Sequence, residues 1–104
     1  MIIVNSHHVS QSEIEAHLGL VRGSAVRTRH LGKDILALFK NMVGGEVSEY
    51  TKLLAEAREQ ALDRMCEQAK AMGADAITDV RFSSSQISQG AAEVLVYGTA
   101  VKLR

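Results

Sequence analysis

The residues of this sequence best suited to chemistry lie near its start. His7 and His8 are adjacent, and Glu13, Glu15 and His17 follow at alternating positions. On an extended strand alternate side chains share a face, so these three would project together. Imidazole beside carboxylate suits zinc or another borderline divalent ion. The spacing contains no H-x-x-x-H and no C-x-x-C, the closed patterns that mark a metal centre from sequence. A divalent metal ion on His7, His8, Glu13, Glu15 and His17 is therefore the alternative expectation. The plainer reading is a surface His17 and two histidines in a mobile chain end.

Other reactive groups offer less. Cys66 is the single cysteine; it sits beside the apolar stripe of a helical pattern, where a thiol is usually buried and inert. A nucleophile needs a base beside it, and no spacing supplies one, so no catalytic residues are expected. Arg22, Arg27, Arg29, His30 and Lys33 form a basic tract that could hold a phosphate or carboxylate. Basic residues on a strand edge also keep it from pairing with strangers, and that reading is preferred here. The pair Gly44-Gly45 lacks the G-K-[ST] of a phosphate loop and reads as a structural turn.

Composition narrows the classes. The chain has 104 residues, 46% of them hydrophobic, with twelve basic and twelve acidic side chains in balance. This is the size of one domain, 1–104, with 1–13 as a mobile N-terminal segment. Neutrality gives no bulk attraction to nucleic acid or anionic lipid, and 4% aromatics is too few for a base-stacking platform. The N-terminus has no basic region ahead of an apolar one, and no run approaches a membrane span. No nucleic-acid or membrane partner is expected, and a cytoplasmic location is.

The elements that must position these groups follow from periodicity. Residues 14 to 28 read as a strand, with a bulge at Gly23. "IIVN" reads as a short strand. Asp34 to Val43 reads as a broadly apolar helix ended by Gly44 and Gly45. Ser48 to Met72 reads as a second helix, its stripe running through Tyr50, Leu54, Ala57, Ala61, Met65, Ala69 and Met72. Gly73 ends it. Two strands follow, Asp75–Ser83 and Ala91–Leu103, joined by a serine-rich turn. The expected fold class is α+β: a small antiparallel sheet covered on one face by two helices.

Pairing the last two strands with Arg81 opposite Glu93 sorts their side chains. One face takes Ala76, Thr78, Val80, Phe82, Ala92, Val94, Val96 and Gly98, which suits helix cover. The other takes Asp75, Ile77, Asp79, Arg81, Glu93, Leu95, Tyr97 and Thr99. In a monomeric two-layer fold this second face would meet water. Several large apolar side chains there imply contact with another chain. Ile77, Asp79, Arg81, Glu93, Leu95 and Tyr97 are the candidate interface or pore residues, and the expected partner is the chain itself.

Several segments resemble a known family. They are "LGKDILALFKNMVGGEVSEYTKLLAEAREQALDRM", "MGADAITDVRF" and "GAAEVLVYGTAVKL", and they resemble the YbjQ-like family of small uncharacterised proteins, which carries a heavy-metal-binding label. Gly44-Gly45 followed by Tyr50, then Ala57-Arg58, Gly73-Ala74-Asp75-Ala76, Glu93 and Tyr97-Gly98-Thr99-Ala100-Val101 carry the likeness. The resemblance implies a two-layer subunit assembling as a homo-oligomeric ring, typically a pentamer or a multiple of one. It supplies no reaction. The expected function is a non-enzymatic binding or scaffold protein with a ligand at subunit interfaces or in a pore.

Overall fold

The computed structural model describes residues 1–28, 48–88 and 91–104. Its elements are β1 (Ile2–Ile3), β2 (Ile14–Thr28), α1 (Ser48–Ala71), β3 (Ala76–Ser88) and β4 (Ala91–Leu103). The four strands form one sheet in the order β1-β3-β4-β2. β4 is central and pairs antiparallel with both β2 and β3. β1 pairs parallel with β3, so the sheet is mixed, where an antiparallel one was expected. The expected helix at 34–43 and the turn at Gly44 and Gly45 lie outside the described residues.

α1 covers one face of the sheet. Ala57, Ala61, Met65 and Ala69 on its stripe are fully buried. They pack with Val21 and Ala25 of β2, Ile77 and Val80 of β3, and Val94, Val96 and Ala100 of β4. Three of the four helix residues are alanines, which lets the helix lie close to the sheet. Gly23 completes the fit: a Cβ there would lie 2.6 Å from the Met65 nitrogen. Gly23 therefore marks close helix approach, and the expected bulge is elsewhere. The register of β2 on β4 shifts between Ile14 and Ala16 and between His17 and Gly19. Gly19 itself has a φ of 129°, a conformation open chiefly to glycine. At the end of α1, Gly73 adopts a φ of 81°. Its N–H donates to the Lys70 carbonyl, and that of Ala74 donates to the Ala69 carbonyl, the usual glycine stop.

A second, smaller core forms on the opposite face. Val9 is buried there against Ala76 and Val101, with Val4, Ile14 and Leu103 around them. Val4 and Val9, in the segment expected as a mobile end, thus pack at one end of the sheet. Val101 and Leu103 continue the far face of β4 and find cover within the chain.

The hairpin register differs from expectation. Arg81 faces Tyr97, and Glu93 faces Ser85. The strand also runs five residues further than predicted, through the serine-rich tract to Ser88. Between Thr78 and Arg81 the register slips at a bulge, where Asp79 has a φ of 53°. An extra residue reverses the alternation of side chains beyond it. Before the bulge Ile77 faces the helix; after it Val80 and Phe82 do. The assignment of Ile77 to the far face is therefore wrong. It is 0% exposed and belongs to the main core. Ala76 and Thr78, expected under the helix, face the other way.

Candidate functional site

The strands place four rows of side chains on the face that α1 does not cover. Partners across an antiparallel ladder point the same way, so the pairings define each row. Leu20, Thr99 and Thr78 form the first. Arg22, Tyr97 and Arg81 form the second, a tyrosine between two arginines. Ser24, Leu95 and Ser83 form the third, and Val26, Glu93 and Ser85 the fourth. Leu20 is 64% exposed, Val26 50% and Tyr97 39%, while Leu95 and Glu93 are half-buried. Of the six residues proposed from sequence, the fold brings Arg81, Glu93, Leu95 and Tyr97 together here. Leu20 and Val26 were missed, because only the last two strands were sorted by face. Their alternation with Val21 and Ala25 in β2 carries the signal.

Arg81 is already in use. It donates to the Asn5 carbonyl at 2.9 Å and to the Val80 carbonyl at 3.1 Å, holding the N-terminal segment on β3. Asp79 is half-buried at the bulge, and its backbone N–H donates to the Ser6 carbonyl at 2.9 Å. It stands at the border of the N-terminal cover. Arg81 and Glu93, four residues apart along the ladder, do not pair within the chain.

The metal candidates do not assemble within one chain. His7 and His8 are exposed, with ring centroids 5.1 Å apart at 65°. Glu13 contacts Arg104 at 3.2 Å. The register shifts around Ala16 and His17 break the alternation that would have aligned Glu13, Glu15 and His17. Among the described residues no three His, Cys, Asp or Glu side chains gather closely enough to hold an ion. A tetrahedral zinc centre needs three or four such ligands, so the described residues of one chain do not fit it.

The basic tract splits between the two faces. Arg22 stands in the exposed row, whereas Arg27 turns toward the helix and lines an open cleft of about 540 Å³ with Lys52, Glu56, Glu59 and Asp63. The Nε of Arg27 is buried and has no hydrogen-bond partner among the described residues. Arg29, His30 and Lys33 lie outside the described residues. Two helix residues that sequence reasoning passed over act on the edge of β2. Gln68 Oε1 accepts the Arg22 N–H at 2.8 Å, and Arg64 donates to the Ser24 carbonyl at 2.6 Å. Cys66 packs at the side of the main core, and burial pushes its thiol above the usual range, with Lys70 opposing. Among the described residues no helix is long and apolar enough to cross a membrane.

The YbjQ family model, described as "Putative heavy-metal-binding", matches residues 1–104. A UPF0145 protein of Archaeoglobus fulgidus is 55% identical over 104 residues, covering all of this chain and 96% of the relative. One from Methanosarcina acetivorans is 52% identical over 103 residues, covering 99% of this chain and 97% of its own. A solved structure of a protein with unknown function of the DUF74 family, from Pediococcus pentosaceus, superposes with a TM-score of 0.62. It covers 100% of this chain and 98% of that one at 16% identity, a likeness of fold alone.

Proposed function

This chain belongs to the YbjQ-like family, and from that premise we propose a non-enzymatic homo-oligomer whose copies cover the exposed face of the sheet for one another. The observation that carries the reading is the cluster of Leu20, Val26, Leu95 and Tyr97 on the face that α1 leaves open. Removing a large apolar side chain from water contributes about 1.5–3 kcal/mol, and several together form a patch that monomers rarely leave open. The family resemblance favours a closed ring, a pentamer or a multiple of one. In a ring each face contact repeats about the axis. Arg22, Arg81, Glu93 and Asp79 border the patch, so modest charges recur at every junction or around a pore. A small polar ligand or ion at those junctions is the binding role.

Native mass spectrometry of protein purified from its own host tests this. The expected spectrum is a multiple of the 11.3 kDa chain with a retained small molecule, and Glu93→Gln weakens that retention. A bare chain at 11.3 kDa overturns the proposal.

The second reading is divalent metal binding, favoured by the family description and by the exposed pair His7 and His8. The described residues of one chain supply too few ligands, so the ion would sit between copies. Titration with zinc, copper or nickel at micromolar concentration should release heat that His8→Ala abolishes. A flat titration rejects it.

A further inference from the structure

The two long edges of the sheet are treated differently. β2 lies at one edge, and α1 guards its middle by binding the Arg22 N–H and the Ser24 carbonyl through Gln68 and Arg64. Arg22 and Arg27 add charge along it. β3 lies beside the other edge, where β1 and the chain after it reach only part of the way. The Val4 N–H donates to the Ile77 carbonyl, and the N–H groups of Asp79 and Val80 donate to the carbonyls of Ser6 and Val4. From Arg81 to Ser88, no strand among the described residues pairs with β3 on that side.

Natural proteins blunt such edges with lysine, proline, bulges or cover. From Phe82 to Ser88 the sequence is "FSSSQIS", with no charge and no proline. Phe82 and Ile87 are 48% and 57% exposed. Because the Val80 N–H points away from β4, alternation aims the N–H and carbonyl groups of Phe82, Ser84 and Gln86 outward as well.

We infer that this edge takes the same edge of a second copy of the chain, paired antiparallel about Ser84. Three constraints choose that register. Outward-pointing residues must face one another, which matches Ser84 with Ser84 and Phe82 with Gln86. The Val4–Ser6 segment blocks any register reaching past Val80. Arg81, the single charge of the stretch, then lies opposite a neutral Ile87, so like charges never meet. It then stands one pair along from the row holding Ser85 and Glu93. The pairing keeps both helices on one side and extends the sheet across a two-fold axis. It rests on the homo-oligomer reading and adds to it: a two-fold contact beside the face contact yields an even number of subunits.

Amide hydrogen exchange on the pure, full-length protein reads the edge directly. The Phe82 and Ser84 amides should exchange on the order of a hundredfold more slowly than open edge amides do. Ser84→Pro removes an outward donor without taking one from β4, and Ser84→Lys places a charge there. Either variant should halve the native mass. Free exchange at Phe82 and Ser84, or a wild-type mass in both variants, overturns the inference. If Leu95→Glu still lowers the mass in that event, the face reading stands and only the edge fails. A wild type that is already a single chain sinks both.

Discussion

Gly23 runs directly beneath Met65, so close that any side chain at 23 would enter the backbone of the helix, with a Cβ 2.6 Å from the Met65 nitrogen. Gly23→Ala should therefore cost at least the 1–3 kcal/mol typical of overpacking, about that much or more because the obstacle is backbone. Urea denaturation monitored by circular dichroism measures it. Gly98→Ala should behave similarly, since a Cβ there would lie 2.7 Å from Ile77 Cγ2 and 2.9 Å from the Thr78 carbonyl.

The bulge at Asp79 decides which side of the sheet Ile77 occupies. A left-handed backbone costs a β-branched residue about 1–2 kcal/mol. Asp79→Val should lower the urea midpoint accordingly, whereas Asp79→Gly, which accepts the φ of 53° freely, should leave it nearly unchanged. Equal losses in both would show that the Asp79 carboxylate, not its backbone, fixes the bulge.

The guards of β2 should be separable from the packing of the helix. Arg64→Ala and Gln68→Ala each leave one edge group of β2 to water, a loss of about 0.5–1.5 kcal/mol. The amide of Arg22 should then exchange faster in Gln68→Ala than in the wild type, with the amides facing β4 unchanged.

Cys66 should be slow to react. Burial holds its thiol protonated above the usual range, so alkylation by iodoacetamide near neutral pH should lag behind a free cysteine. The folded state keeps the proton longer than the unfolded one. The thiol's contribution to stability is therefore complete below the ordinary thiol pKa and declines as pH rises through it. A thiol reacting at the free-cysteine rate at pH 7.5 contradicts this.

Much of the fold can be read from local pattern. The bounds of β2 and β4, the stripe of α1 through Ala57, Ala61, Met65 and Ala69, and the stop at Gly73 all follow from periodicity and glycine chemistry. The pairing of the last two strands does not. A serine-rich tract reads as a turn, because serine competes with strand hydrogen bonds, yet it continues β3 and moves Glu93 from Arg81 to Ser85. A bulge at a non-glycine residue leaves no mark in composition, so the side of Ile77 was not predictable. Glu13, Glu15 and His17 look aligned only on an unbroken strand. Leu95 and Tyr97 were legible on the exposed face because the misplaced register slipped by an even number of residues along β4, which preserves the face.

Sedimentation equilibrium of the wild-type protein, compared with Leu95→Glu at the same micromolar concentration, asks most directly whether copies of the chain cover the face that holds Leu20, Leu95 and Tyr97. A wild type heavier than one 11.3 kDa chain, brought down in mass by the buried carboxylate at 95, is the predicted result. A wild type that sediments as one chain, or a Leu95→Glu protein of unchanged mass, contradicts it.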